Sequence, residues 1–411
     1  MKYKIAELCE INRKNISKKD DIEYINYLDT SNLTEGVIKD LKQYNLKNDK
    51  VPSRAKRLVR ENDILISTVR PNQKHYGILR EIPENLVVST GFAVLTPDQK
   101  KVYPEYLYRF LTQNHITEYL QSIAETSTSA YPSIKPSVIG ELEIDLPPLA
   151  EQKSIADIFL SIDQKITINN KINNILEKIA MAIYKHWFID FEFPNENGEP
   201  YKSSGGEMVE NKLGLIPKGW KIKSLDEIAD FLNGLAMQKY RPQNGEKGIP
   251  VLKIRELRQG RIDNNSDICS ENINADYVVE DGDIIFSWSG SLLVDIWCGG
   301  KVGLNQHLFK VTSKDYEKWF YYYWTKYHLD RFIHIAEAKA TTMGHIRRKD
   351  LSDSKVLIPT QNVYEKANNI LKPIIELIIN LKIQSRRLEN IRNILLPKLI
   401  SGEIRVPVEN E

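Results

Sequence analysis

The sequence predicts an α+β protein made twice over: two similar mixed domains, each followed by a long helix, with the two helices pairing as an antiparallel coiled coil. Three observations carry this expectation. The same order of signals runs through residues 1 to about 190 and 215 to 400, displaced by 212 to 220 positions. Within each copy, short β-rich runs are bounded by turn residues. After each copy, apolar residues recur in alternating four- and three-residue steps, the pattern of a coiled-coil seam. A displacement this long is no solenoid period, which is about 20–50 residues. The duplicated unit is a whole domain plus its helix.

The first domain is placed at residues 1–147. Ile5-Ala6-Glu7-Leu8 matches Leu225-Asp226-Glu227-Ile228, and Asn62-Asp63-Ile64-Leu65-Ile66-Ser67 matches Gly282-Asp283-Ile284-Ile285-Phe286-Ser287. Strands are expected at Ile64–Val69, Leu86–Val88 and Phe92–Leu95, and one helix at Glu105–Ala124. A helical spacer follows over 148–190, its seam formed by Ile158, Ile162, Ile172, Leu176, Ile179 and Ile183, with Lys165 and Asn169 filling two places. Its span of roughly 55 Å exceeds what one small domain can cover. Residues 191–212, rich in Pro, Gly, Asn and Ser, are expected to be a linker. The second domain occupies 213–359 and the distal helix and tail 360–411. The distal seam reads Ile370, Ile374, Leu377, Leu381, Gln384, Leu388, Ile391 and Leu395. Asn169 and Gln384 are expected to fix its register, at a cost in stability. Pro373 is expected to kink or delay this helix.

Composition places few demands on function. The chain has 411 residues, 41% hydrophobic and 27% charged, with a net charge of +2. Any nucleic-acid footprint is therefore local. Three scattered cysteines form neither a disulfide framework nor a zinc knuckle. Without an apolar signal core or an 18-residue apolar run, the chain is expected in the cytoplasm, away from membranes.

Catalytic motifs are missing. Gly299-Gly300-Lys301 lacks the earlier glycine and the hydroxyl of a phosphate loop. Asp145-Leu146-Pro147-Pro148 lacks the aromatic of a methyltransferase tetrapeptide, and Glu151-Gln152-Lys153 lacks the Pro-Asp of a nuclease site. The histidines form no metal set. Basic clusters are the stronger signal. Residues 50–60 hold five cations without an acid, among them Arg54, Lys56, Arg57 and Arg60. Arg70 and Lys74 follow the first β-rich run. The second domain has Lys253, Arg255, Arg258 and Arg261, then Arg347 and Arg348. Hydroxyl-rich stretches at matching places, 126–135 and 339–347, add Ser129, Tyr131, Lys135 and His345. Arginine forks read guanine edges, and lysine and arginine alike neutralise phosphates. A solvated charged face is the competing explanation.

Four segments resemble the specificity subunits of type I restriction–modification systems. They are Leu146-Pro147-Pro148-Leu149-Ala150-Glu151-Gln152-Lys153-Ser154-Ile155-Ala156, Ile183-Tyr184-Lys185-His186-Trp187-Phe188-Ile189-Asp190-Phe191, Leu213-Gly214-Leu215-Ile216-Pro217-Lys218-Gly219-Trp220, and the closing Arg392–Ile404. Pro359-Thr360-Gln361-Asn362 departs from the pattern by lacking the Pro-Pro and Glu-Gln pairs. The resemblance implies two target-recognition domains, each reading half of a bipartite double-stranded DNA sequence. It implies helices that dock two methyltransferase subunits, with restriction subunits joining through the assembled complex. It also implies no catalytic site or cofactor in this chain: S-adenosylmethionine, ATP and magnesium would belong to partners. The alternatives are a diverged methyltransferase or nuclease, a coiled-coil scaffold that binds no DNA, and a related system with both activities in one partner.

Overall fold

In the computed structural model the described residues are 1–17, 19–127, 131–338 and 344–407. They form two units, 1–164 with 390–411 and 165–389. The same sheet is built in each. In the first unit the strand order is Tyr76–Ile78, Ile64–Ser67, Phe92–Pro97, Cys9–Ile11, all antiparallel. In the second it is Leu293–Ile296, Ile284–Ser287, Leu308–Thr312, Asp230–Asn233, again antiparallel.

The unbroken apolar runs of the central strands have a simple cause. Successive strand residues face opposite ways, and here both faces are covered. Ile64, Ile66, Ala93 and Leu95 pack into one core with Tyr106, Leu107 and Phe110. Leu65, Phe92 and Val94 pack on the other side with Leu28 and Val88. The second unit repeats this: Ile284, Phe286, Phe309 and Val311 enter one core, and Ile285 and Leu308 the other. A second sheet completes each unit, with Leu86–Ser89 parallel to Tyr24–Leu28 and Ile249–Leu252 parallel to Val302–Leu304.

The turn that launches each central strand is also duplicated. Asn62 and Gly282 both take left-handed backbone, at φ 68° and 89°, a conformation open to Gly and tolerated by Asn. Their N–H groups donate to Leu79 and Trp297 carbonyls at 2.7 Å in each case. Each domain is closed by a two-stranded clasp, Lys2–Lys4 with Glu143–Asp145 and Lys221–Ser224 with Lys355–Ile358.

Three expectations need correction. The helix expected over Glu105–Ala124 is two, Pro104–Leu111 and Asn114–Glu125. Gln113 between them is extended at ψ 148°, and Thr112 and Asn114 beside it are weak helix formers. The segment 191–212 is not a free linker. Phe193 stacks on Trp220 at 5.3 Å and on Tyr201 at 4.5 Å, and Met208–Asn211 pairs with Gly214–Pro217. These rings extend an aromatic core around the helix Lys318–Tyr327, in which Trp319 to Thr325 are all buried.

The third correction concerns the phase of the long helices, Leu149–Phe188 and Gln361–Ser401. Four–three steps do lead along the buried face, but through Ile155, Phe159, Ile162, Ile166, Asn169, Asn173, Leu176, Ala180 and Tyr184. Ile158 and Ile183 are half-buried beside it, while Ile172 and Ile179 are exposed. On the distal helix Leu371, Ile375 and Ile378 are buried, one position on from the expected Ile370, Ile374 and Leu377. Ile374, Leu381, Leu388 and Leu395 are half-buried, and Ile370, Leu377 and Ile391 exposed. Both helices carry more Ile and Leu than one seam uses, so spacing alone left two phases open. The helix begins at Gln361 and runs through Pro373 undelayed.

Antiparallel pairing is visible within each unit. In the second, Asn169 Nδ2 donates to Gln384 Oε1 at 2.9 Å and Ser385 Oγ at 3.3 Å, while Glu177 pairs with Lys382 at 3.8 Å. In the first, Asp163 joins Arg392 at 2.8 Å and Arg109 at 2.6 Å. Arg109 also reaches Glu105, which holds Arg80 as well, each at 2.8 Å. Burial works against the Arg109 charge, yet Asp163 and Glu105 outweigh it and raise its pKa. All three cysteines are free and buried. Burial pushes Cys9 to about 12 and Cys269 and Cys298 to about 11, leaving neutral thiols.

Glu105→Ala should leave the buried Arg109 with Asp163 alone and cost the first unit about 1–3 kcal/mol. Denaturant unfolding of the variant checks this.

A pH dependence follows from His328, buried with Nε2 2.9 Å from the Lys355 carbonyl. A carbonyl only accepts, so Nε2 carries the proton. Burial pulls this histidine from 6.5 down to about 4, against the opposing pull of the carbonyl. Between those values the unfolded chain binds the extra proton and the folded chain does not. Stability should therefore fall as pH drops through this window, by roughly 3 kcal/mol in all. The loss levels off below about 4, and His328→Gln should abolish this part of the pH dependence.

Candidate nucleic-acid interface

Beyond its central strand, each unit ties a loop to a returning segment by the same backbone bridge. In the first unit Val69 pairs with Ser133, Arg70 N–H donates to the Pro132 carbonyl at 2.9 Å, and Ile134 N–H to Thr68 at 2.9 Å. In the second, Ser289 pairs with His345, Gly290 N–H donates to Gly344 at 2.8 Å, and Ile346 N–H to Trp288 at 3.1 Å. The returning segments are the hydroxyl-rich stretches singled out from the sequence. Ser129 lies outside the described residues.

The side chains on these matched bridges differ. In the first unit Arg70 is left-handed at φ 48° and stacks its guanidinium 4.8 Å above the Tyr131 ring. A non-glycine residue held there is strained, and the strain aims a cation out of the turn. Lys74, also left-handed, is paired with Glu35 at 3.3 Å and bonded to Asn114. Lys135 is exposed at the start of the next helix. In the second unit the bridge carries rings instead. Trp288 stacks on Phe309 at 5.6 Å and meets His345 edge-on at 6.3 Å, its Nε1 donating to Asn233 at 2.9 Å. His307 Nδ1 lies 2.9 Å from Ser289 Oγ. Arg348 sits over the Phe309 ring and donates to the Phe231 carbonyl at 3.2 Å, and both Arg347 and Arg348 are exposed.

The expected basic clusters do not form single patches. Lys56 and Arg57 are neighbours in the strand Ala55–Leu58 and so face opposite ways. Arg54 and Lys56 are exposed, but Arg57 is half-buried, its Nε without a partner and its pKa pulled down by burial. Arg60 is held by Asp63 at 3.9 Å. In the second unit Lys253 is paired with Asp267, and Arg255 with Glu256 at 2.6 Å and Asp263 at 3.2 Å. These cations are neutralised locally. Arg258 and Arg261 are exposed and form no ion pair among the described residues.

Sequence reasoning missed Trp288, Asn233, His307, Gln238, Asn305 and Gln306. Trp288 stands one residue beyond the matched block ending at Ser287 and could have been reached by extending it. Asn305-Gln306-His307 opposes Ser89-Thr90-Gly91 in the repeat, and a search for charge passes over neutral amides. Among the described residues no group of three His, Cys, Asp or Glu is placed to hold a metal, and no helix is long and apolar enough to cross a membrane.

The family model described as type I restriction modification DNA specificity domain matches residues 1–178 and 217–390. The chain is 31% identical to the MjaIX specificity subunit of a type I restriction enzyme from Methanocaldococcus jannaschii, over 78% of this chain and 73% of that one. It is 24% identical to the HindI specificity subunit from Haemophilus influenzae, over 98% and 99%. The fold is similar to the crystal structure of a type I restriction–modification S subunit from M. genitalium, with a TM-score of 0.56 and 15% identity over 97% and 95% of the chains.

The ion pairs separate two kinds of arginine, and duplex binding should do the same. Arg258→Ala should leave melting unchanged and lower the slope of log affinity against log salt by about one. Arg255→Ala should instead lower the melting temperature, because Glu256, 1% exposed, is left buried with its charge. Melting curves and salt titrations of the two variants check both outcomes.

Proposed function

Because the chain belongs to the family of type I restriction–modification DNA specificity proteins, we propose that it selects the DNA sequence on which such a complex acts, each domain reading one half of a bipartite target. One observation carries the reading: an identical backbone bridge displays Arg70 and Tyr131 in one unit but Trp288 and His345 in the other. A shared frame with unlike side chains suits two readers of two different half-sites. Phosphate contacts position such a reader, and side chains on base edges specify the sequence.

The chain acts without catalysing. S-adenosylmethionine, ATP and magnesium are assigned to partner subunits, in keeping with the missing phosphate loop and methyltransferase tetrapeptide. The long helices are the docking surface for two methyltransferase subunits, through which restriction subunits join. Ile168, Ile172, Ile175 and Ile179 remain exposed in four–three–four steps, and Ile391 and Ile394 form a further exposed pair. Apolar residues so spaced on an outer helix face suit another helix. A cytoplasmic setting fits the DNA partner and the free thiols.

The reading is tested by reconstitution. The chain alone, with either cofactor, should neither methylate nor cleave DNA, whereas with methyltransferase subunits it should direct methylation to a two-part sequence with an unread gap. Turnover by the isolated chain, lost on a point mutation within it, or methylation without sequence preference in the complex, would overturn the proposal.

A further inference from the structure

The second domain holds a cleft formed by two adjoining depressions of about 270 and 300 Å³. Gln238, Lys253 and Asn305 line both, and Gln306 and His307 line the second. Its floor is rigid. Leu235 N–H donates to the Leu304 carbonyl at 2.9 Å, and a Cβ on Gly234 would fall 2.2 Å from the Asn305 carbonyl oxygen.

The amides of this turn are oriented by a chain of hydrogen bonds. Asn305, 4% exposed, accepts the His307 backbone N–H on Oδ1 at 3.3 Å, which places its nitrogen on the other side. That nitrogen donates to Gln306 Oε1 at 2.9 Å. Gln306 therefore has one oxygen lone pair committed and one open, while its nitrogen keeps two donors. Gln306 is half-buried, and the uncommitted edge of its amide offers a donor beside an acceptor. Of the nearby cations, Lys253 and Arg255 are tied to Asp267, Glu256 and Asp263, while Arg241, exposed and without an ion pair among the described residues, lines the first depression. The second depression meets a ligand chiefly through the neutral amides of Gln238, Asn305 and Gln306.

A side-by-side donor and acceptor matches one base in the major groove: adenine, with N7 accepting and N6 donating. Guanine offers two acceptors there, so the oxygen of that edge would face an acceptor instead of a donor. We propose that the Asn305–His307 turn is a base-reading element of the second domain, with Gln306 selecting adenine and Asn305 as its positioning residue. The assignment rests on the reading of the chain as a DNA specificity subunit. The matching turn of the first domain, Ser89-Thr90-Gly91, has no carboxamide, so the effect is confined to one half-site.

The test uses the chain assembled with methyltransferase subunits. Methylated positions are mapped genome-wide, and binding is measured in competition with duplexes changed at single base pairs. Gln306→Ala should relax one A·T position in one half of the target, with discrimination there falling about ten- to hundredfold, while the other half stays intact. Gln306→Glu still accepts from Asn305 but loses its donors, so the same position should turn toward cytosine, whose N4 donates to a carboxylate. An unchanged motif in both variants, an equal loss against every competitor, or relaxation at a G·C position overturns the assignment alone. A wild-type complex with no sequence preference overturns the assignment together with the reading beneath it.

Discussion

Ser67 lies opposite Phe92, and Ser287 opposite Leu308. That register is what the rest of each domain hangs on. Because both faces of these strands are buried, a slip by one residue would exchange two cores that differ in size and shape. It would also carry the following residues, Thr68 to Arg70 and Trp288 to Gly290, away from the segments that return to meet them. The polar display at the end of the sheet is thus held by apolar packing several residues away. The strand ends are fixed, and the loops inherit that rigidity.

The same separation of roles governs the charges. A count of lysines and arginines marks residues 50–60 and 253–261 as the positive regions, yet the folded chain spends several of these cations on its own carboxylates. Arg255 serves the buried Glu256, Arg60 the buried Asp63, and Lys253 pairs with Asp267. What remains for a ligand is a smaller set, including Arg54, Lys56, Arg258 and Arg261, with Arg70 aimed by its stack on Tyr131. A weakly charged protein with fixed, sparse cations relies on shape and hydrogen bonding for selectivity more than on bulk attraction.

Much of this fold was legible in the sequence because the repeat reports on itself. Matched short helices, strands and turns at Ile5 and Asn62 and at their counterparts Leu225 and Gly282 fold alike. The phase of the long helices was not legible, since Ile370 and Leu371, or Leu377 and Ile378, are equally apolar and only tertiary contact chooses between them. Residues 191–212 read as a linker by their Pro, Gly and Asn content, but Phe193 and Tyr201 anchor them to Trp220, a contact that composition does not reveal. The candidate site was half legible. Arg70, Tyr131, His345 and Arg348 stood out by charge or by position in a polar stretch. Asn305, Gln306 and His307 did not, because their meaning comes from an orienting chain of hydrogen bonds.

Each two-stranded clasp brings the beginning and end of its domain to neighbouring backbones, about 4.8 Å apart: Lys4 beside Glu143, and Ser224 beside Lys355. The second domain, entered through Lys221–Ser224 and left through Lys355–Ile358, is therefore a closed excursion that leaves and rejoins the chain at nearly one point. Exchange of genetic material between those two points would install another excursion of different length and content while the junction keeps its spacing. The clasp turns a question of protein folding into one of inheritance: new specificity can arrive as a whole cassette, and the frame that receives it need not change.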